Sequence, residues 1–202
     1  MVCNRRHITR PVGNLRYRKL FVLSLEGTIT ERQYFASFNV PNSVIQIKCL
    51  KGNKKTDRSP RQVLTRMEHH LKEAGLKKTD EAWLVVDKDE WTKEQLSVLH
   101  HWSQQADNYG FALSNPKFEF WLILHFEQGD EISSSQVCSR KLKEYLPDYD
   151  KQIDMKKLSQ SMIKEAIKRA KQKDQPPCDD WPHTTGTTVY KLVENILKSS
   201  EE

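Results

Sequence analysis

The stretch LFVLSLEGTITERQYF, residues 20–35, decides how the rest of the chain reads. Leu20–Leu25 is a short apolar run with β-favouring side chains. It stops at Glu26-Gly27, and Thr28-Ile29-Thr30-Glu31 has the form of a helix start, with Tyr34 and Phe35 as the first apolar helix positions. Thr28 and Glu31 stand at capping-box spacing, the hydroxyl capping the new helix and the carboxylate reaching back. A strand that ends in an acid and a glycine and turns directly into a helix leaves that acid at the strand's carboxyl end. In open α/β sheets that edge is where ligands bind. AWLVVDKDEW, residues 82–91, has the same construction with Asp87 and Asp89.

The neighbouring segments extend the pattern. Val44–Leu50 reads as a second strand, and Ser59-Pro60 with Gln62 opens a helix whose apolar face is Val63, Leu64, Met67 and Leu71, closed by Gly75. Ala82–Val86 is a third strand, short and apolar enough to be buried on both faces. Thr92 and Gln95 start a helix that turns Leu96, Leu99 and Trp102 inward, and Gly110–Leu113 is a fourth strand. Ser114-Asn115-Pro116 then predicts a strand-to-helix turn, with Asn115 as cap, Pro116 at the first helical position and a buried helix over Phe118–Phe126. Four strand–helix alternations predict an α/β fold with a mostly parallel sheet flanked by helices. Val137–Tyr145, Met155–Lys173 and Thr187–Leu197 read as helices. The chain therefore divides into a basic arm (1–18), an α/β core (19–130) and a helical extension packed on it (131–202).

At 202 residues, with 37% hydrophobic and 30% charged residues, the chain can build one core under a heavily charged surface. The net charge of +6 is compatible with a polyanionic partner. Arg16 and Arg18 of the arm, and Lys54, Lys55 and Arg58 of a polar loop, are the candidate phosphate-contacting residues. Cys3, Cys49, Cys138 and Cys178 form no CxxC pair, which speaks against a zinc site and suits reduced thiols in a cytoplasmic protein. No apolar run approaches the roughly 20 residues of a membrane span.

The chemistry-bearing residues are acids. If the extended backbone persists through Asp89, it and Asp87 point to one face, where two carboxylates repel unless a cation lies between them. Oxygen ligands without nearby His or Cys select a hard ion, Mg²⁺ or Mn²⁺. Glu26 joins them if the first and third strands are neighbours. Glu31 has two readings, a helix cap or a ligand to a second metal. Glu119 lies in an otherwise apolar helix, so it needs a partner such as Asn115, a ligand or a basic residue. His125, in the same helix, reads as a packed, hydrogen-bonded histidine.

With these stretches in hand, LSLEGTITERQYF (23–35), VVDKDEW (85–91), SNPKFEFWLILHF (114–126) and TTVYKLVE (187–194), with YDK (149–151) and AIKRAK (166–171), the chain resembles the RloB-like proteins, a bacterial family with a Toprim-type core. The resemblance implies a Toprim-like central parallel sheet with metal-binding acids at its carboxyl edge. It assigns Glu26 as general acid/base and Mg²⁺ or Mn²⁺ ligand, and Asp87 and Asp89 as further ligands. The EG-x-x-x-E spacing resembles the acid pair of OLD-type nucleases, and that resemblance implies Glu31 as a second-metal ligand, although their usual EG-x-x-E is one residue shorter; Asn115 and Glu119 are candidates for that site or its support. The activity implied is a metal-dependent nuclease acting on DNA or RNA in phage defence or abortive infection, with a partner ABC-type ATPase; a homodimer is open. The rival reading is a catalytically silent, Toprim-shaped binding or sensor subunit of an ATPase-driven complex. A haloacid-dehalogenase-type phosphatase fits poorly because the first strand carries Glu26 rather than a DxD, and a topoisomerase lacks room for strand-passage domains.

Overall fold

The computed structural model describes residues 18–52, 59–89 and 91–201. Among them a sheet of five strands runs in the order β2-β1-β3-β4-β5. The strands are β1 (Lys19–Leu25), β2 (Ile45–Cys49), β3 (Glu81–Asp87), β4 (Tyr109–Asn115) and β5 (Gly186–Thr187). The first four are parallel and β5 is antiparallel to β4. The α/β sheet flanked by helices is thus observed as expected, and β1 and β3 are direct neighbours with Leu25 level with Val85.

Side-chain alternation along the strands divides the interior in two. Val22, Leu84, Val86 and Leu113 face α2 (Pro60–Ala74) and α3 (Lys93–Ser103), meeting Val63, Met67, Leu96, Leu99 and Trp102. Phe21, Leu23, Leu25, Val85 and Ala112 face the other way, towards α1 (Thr30–Ala36), α4 (Phe118–Ile123), α5 (Ser135–Tyr145), α6 (Gln160–Lys173) and α7 (Val189–Glu201). Apolar residues from Ile132 to Leu197 therefore share one continuous interior with the sheet. The capping boxes Ser59/Gln62 and Thr92/Gln95 form as the spacing predicts, and Gly75 closes α2 at φ 66°.

Three local expectations are corrected. The Thr28/Glu31 capping box does not form: α1 starts at Thr30, Ile29 precedes it without a side-chain cap, and Thr28 is exposed. Asn115 does not cap α4. It remains in β4 because Gly186 pairs beside it; its amide donates to Pro182 O at 3.1 Å, and α4 starts only at Phe118. Thr187 does not begin a helix; the extension supplies it as an edge strand, its Oγ1 2.8 Å from Ser114 Oγ. For Asn115 and Thr187 a pairing partner distant in sequence overrode a local signal.

The outer edge of β2 is satisfied by side chains. Asn39 accepts from Ile47 N–H at 2.7 Å and donates to Ile47 O at 3.0 Å, imitating a neighbouring strand. No helix of the described residues is long and apolar enough to cross a membrane.

Candidate functional site

The carboxyl ends of β1 and β3 deliver Glu26 and Asp87 side by side. Glu26 follows the last residue of β1, and its backbone N–H donates to Val85 O at 2.9 Å, continuing the ladder by one step. Its carboxylate accepts from Asp87 N–H at 3.0 Å and from Trp91 Nε1–H at 3.0 Å. Asp87 ends β3, and its Oδ1 accepts from Phe118 N–H, the first residue of α4, at 2.8 Å. Backbone and indole donors thus help to fix both acids in place.

α1 and α4 bring two more carboxylates to the same place. Glu31 lies in the first turn of α1, only 8% exposed, its carboxylate hydrogen-bonded to the backbone N–H of Gly27 and its own N–H. A Cβ on Gly27 would collide with that carboxylate, so Gly27 is needed for close approach as well as for the turn. Glu119 lies in the first turn of α4, half-buried, and accepts from Tyr149 Oη–H at 3.0 Å. Its carboxylate is 3.9 Å from Lys117 Nζ, which also donates to Ser139 Oγ at 2.5 Å.

These four acids act on one another. Burial, then the charges of Glu119 and Glu26, push the Glu31 carboxyl up to about 7 from an ordinary 4.5. Burial, then Glu31, Glu26 and Glu119, push Asp87 well above the carboxylate range, against the opposing Phe118 N–H bond. A carboxylate whose neighbours are carboxylates gives up its charge unless a cation supplies the missing balance.

Asp89 is positioned differently. β3 stops at Asp87, and Asp89 has φ 26° with its N–H donating to Pro116 O at 3.1 Å, so strand alternation does not orient it. It is exposed and accepts from Ser135 Oγ at 3.4 Å. It nevertheless lines the same cavity of about 410 Å³ as Glu26, Glu31, Asp87, Glu119, Lys117 and Lys151. Asn115, anchored to Pro182 O at the β4–β5 edge, does not line that cavity. Arg18 stands at the amino end of β1, about 25 Å of extended chain from Glu26. Arg16, Lys54, Lys55 and Arg58 lie outside the described residues.

The donor set fits a hard divalent ion in kind, being all oxygen and rich in charge. Among the described residues no three acids, histidines or cysteines are already gathered in metal-ligating geometry. The carboxylates are held instead by N–H and O–H donors. The remaining polar groups of the interior offer no nucleophile. Burial raises Cys49 to about 11, and Cys138 and Cys178 to about 12. His125 is buried, its Nδ1 3.0 Å from Trp121 O and its Nε2 3.2 Å from Tyr34 Oη. Since a carbonyl only accepts, Nδ1 carries the proton and Nε2 accepts from Tyr34; burial lowers this histidine to about 4, as suits a packed, neutral ring.

Sequence reasoning missed Trp91, Lys117 and Tyr149. Trp91 and Lys117 stand within or beside stretches already singled out. Tyr149 is 118 residues beyond Glu31, and only its place in the YDK triplet could have drawn notice.

No curated protein and no solved structure matches the chain. A family model described as RloB-like protein matches residues 21–196, a span that takes in all five acids of the cavity and most of the shared interior. The chain belongs to the RloB-like protein family.

Proposed function

We propose that the protein is a divalent-metal-dependent nuclease, hydrolysing phosphodiester bonds of DNA or RNA at the carboxyl edge of its sheet. The observation that carries this reading is the gathering of Glu26, Glu31, Asp87 and Glu119 in one cavity, where burial and then neighbouring carboxylates push Glu31 and Asp87 up. A cluster of this kind gains more from a bound cation than from any structural role open to it. Glu26, Glu31, Asp87 and Glu119 are the residues that would hold Mg²⁺ or Mn²⁺, with Asp89 at the rim. Such an ion would acidify a water and offset charge on the scissile phosphate.

The chain's own residues account for the rest. Glu26, held by Asp87 N–H and Trp91, keeps a fixed carboxylate at the centre of the cavity, suited to taking a proton from water or passing one to the leaving oxygen. Lys117 and Lys151, on the cavity wall, supply positive charge towards a phosphate backbone. Lys54, Lys55 and Arg58, between β2 and α2 in sequence, and Arg16 extend that role. The family resemblance supplies the setting proposed here: phage defence or abortive infection in the cytoplasm, with an ABC-type ATPase as partner.

The test is cleavage of DNA and RNA by the purified protein with Mg²⁺ or Mn²⁺, comparing wild type with Asp87→Ala and Glu26→Ala. Metal-dependent cleavage lost in both variants is the expected result. Equal cleavage in all three proteins overturns the reading, and no cleavage even with the ATPase present favours the silent sensor subunit.

A further inference from the structure

We infer that Tyr149, brought against Glu119 behind the acidic cavity by the C-terminal segment, is the positioning residue that sets Glu119 among the cation-holding acids. The inference rests on the metal-dependent reading above and deepens it, because it assigns part of the site to a segment outside the α/β core.

Four observations support it. Tyr149 is 8% exposed, and its hydroxyl lies 3.0 Å from Glu119 Oε1 and 3.0 Å from Thr30 Oγ1. Thr30 in turn donates to Lys151 O at 2.6 Å, and Ile153 N–H donates to Gln33 Oε1 at 2.9 Å. The segment 149–153 is therefore tied to α1 through Lys151 O and Ile153 N–H, and the phenol, whose one proton goes to Glu119, stands between the first turns of α1 and α4. Glu119's cationic neighbour, Lys117, is 3.9 Å away and has Ser139 as a closer partner. The short contact that places the Glu119 carboxylate is the phenol.

The residue type matters. Glu119 has acids for neighbours, and its flexible side chain would swing towards solvent to escape them. A lysine could restrain it, but only by neutralising the charge that a cation needs. A phenol donates one hydrogen bond and leaves the charge in place. Its ring is packed in the interior on α4's side of the sheet, so the donor is rigid. Ligand-orienting hydrogen bonds of this kind govern affinity without touching the ion.

The experiment is calorimetric titration of Mn²⁺ into the metal-free full chain at neutral pH, without nucleic acid, for wild type, Tyr149→Phe, Glu119→Gln and the double variant. Tyr149→Phe keeps the ring and removes the donor. The expected result is roughly tenfold weaker Mn²⁺ binding, with the metal-free melting temperature unchanged. In the Glu119→Gln background the same change is expected to have no further effect, because the carboxylate it positions is gone. Wild-type affinity in Tyr149→Phe, or equal losses with and without Glu119, overturns the inference while leaving the metal reading intact. A wild-type chain that takes up no Mn²⁺ overturns both. If Tyr149→Phe does not fold, Glu119→Gln decides the matter: wild-type Mn²⁺ affinity in that variant shows that the ion does not use the carboxylate Tyr149 holds, and overturns the inference.

Discussion

The two ends of the sheet treat acids in opposite ways. At the amino end, Glu81 accepts from Lys19 at 2.7 Å, from Trp83 Nε1–H at 2.8 Å and from Asn195 Nδ2–H at 3.1 Å, and Asp80 accepts from Leu20 N–H at 2.9 Å. At the carboxyl end, Glu31 and Asp87 are buried beside other carboxylates, and burial together with the charges of Glu26 and Glu119 pushes both of them up. The amino-end cavity is the larger, about 680 Å³ against about 410 Å³. Size therefore points to the wrong end. A balanced ion pair explains itself as structure, whereas unbalanced like charges require either a proton or a cation.

Exchanging the ends by mutation gives the largest expected difference. Glu26→Gln is expected to lose on the order of 100-fold or more of metal-dependent cleavage, the range for removing a proton-transferring side chain. Glu81→Gln is expected to leave cleavage within about twofold while costing about 1–3 kcal/mol of stability, since Lys19 loses its charged partner. Cleavage rates with urea unfolding of both variants check this pair; equal loss of cleavage in both would erase the distinction between the ends.

Next in size is Gly27→Ala. The added methyl displaces the Glu31 carboxylate and leaves the strand intact, so Mn²⁺ affinity is expected to fall about tenfold. Titration of the variant measures it directly, and unchanged affinity removes Glu31 from the site.

The pH dependence follows from the raised acids. Glu31 titrates near 7 folded against 4.5 ordinarily, so its protonated form stabilises the fold fully below about pH 4.5 and this share is lost as pH rises through 7. The amount is on the order of 3 kcal/mol without metal. His125 has the opposite sign: its folded value near 4 lies below the ordinary 6.5, so its share is present above 6.5 and lost as pH falls through 4. The two overlap, and the difference between wild type and Glu31→Gln isolates the acid. In metal-free melting, Glu31→Gln is expected to gain on wild type as pH rises from 5 to 8. Added Mn²⁺ is expected to close that gap at pH 8.

The smallest effect is expected away from both ends. Asn39→Ala strips the pairing from the outer edge of β2, costing about 1 kcal/mol and favouring self-association, with cleavage unchanged. Light scattering and melting of this variant provide the baseline against which changes at either end are judged.

Much of the fold was legible in the sequence because its signals are local. Apolar runs ending in Glu26 and Asp87, the Ser59 and Thr92 capping boxes and the Gly75 stop depend on residues within a few positions of one another. Glu26 beside Asp87 was legible too, because parallel β1 and β3 stop at the same edge. The misreadings have two causes. Thr28 stands at cap spacing, yet Glu31 folds back onto its near neighbour Gly27; Asn115 stands at a cap position, yet β5, distant in sequence, holds it in the sheet.

By itself, then, the sequence determined the α/β alternation, the edge at which the acids collect and the two acids at its centre, since strand period and strand ends are properties of short segments. The tertiary structure alone decided that Glu119 joins Glu31 in the cavity, that Asp89 stands at its rim, that Arg18 lies at the far end and that Tyr149 reaches in from the C-terminal segment. These depend on how α1, α4 and the segment after α5 pack against one face of the sheet. That packing is set by apolar contacts spread over the whole chain.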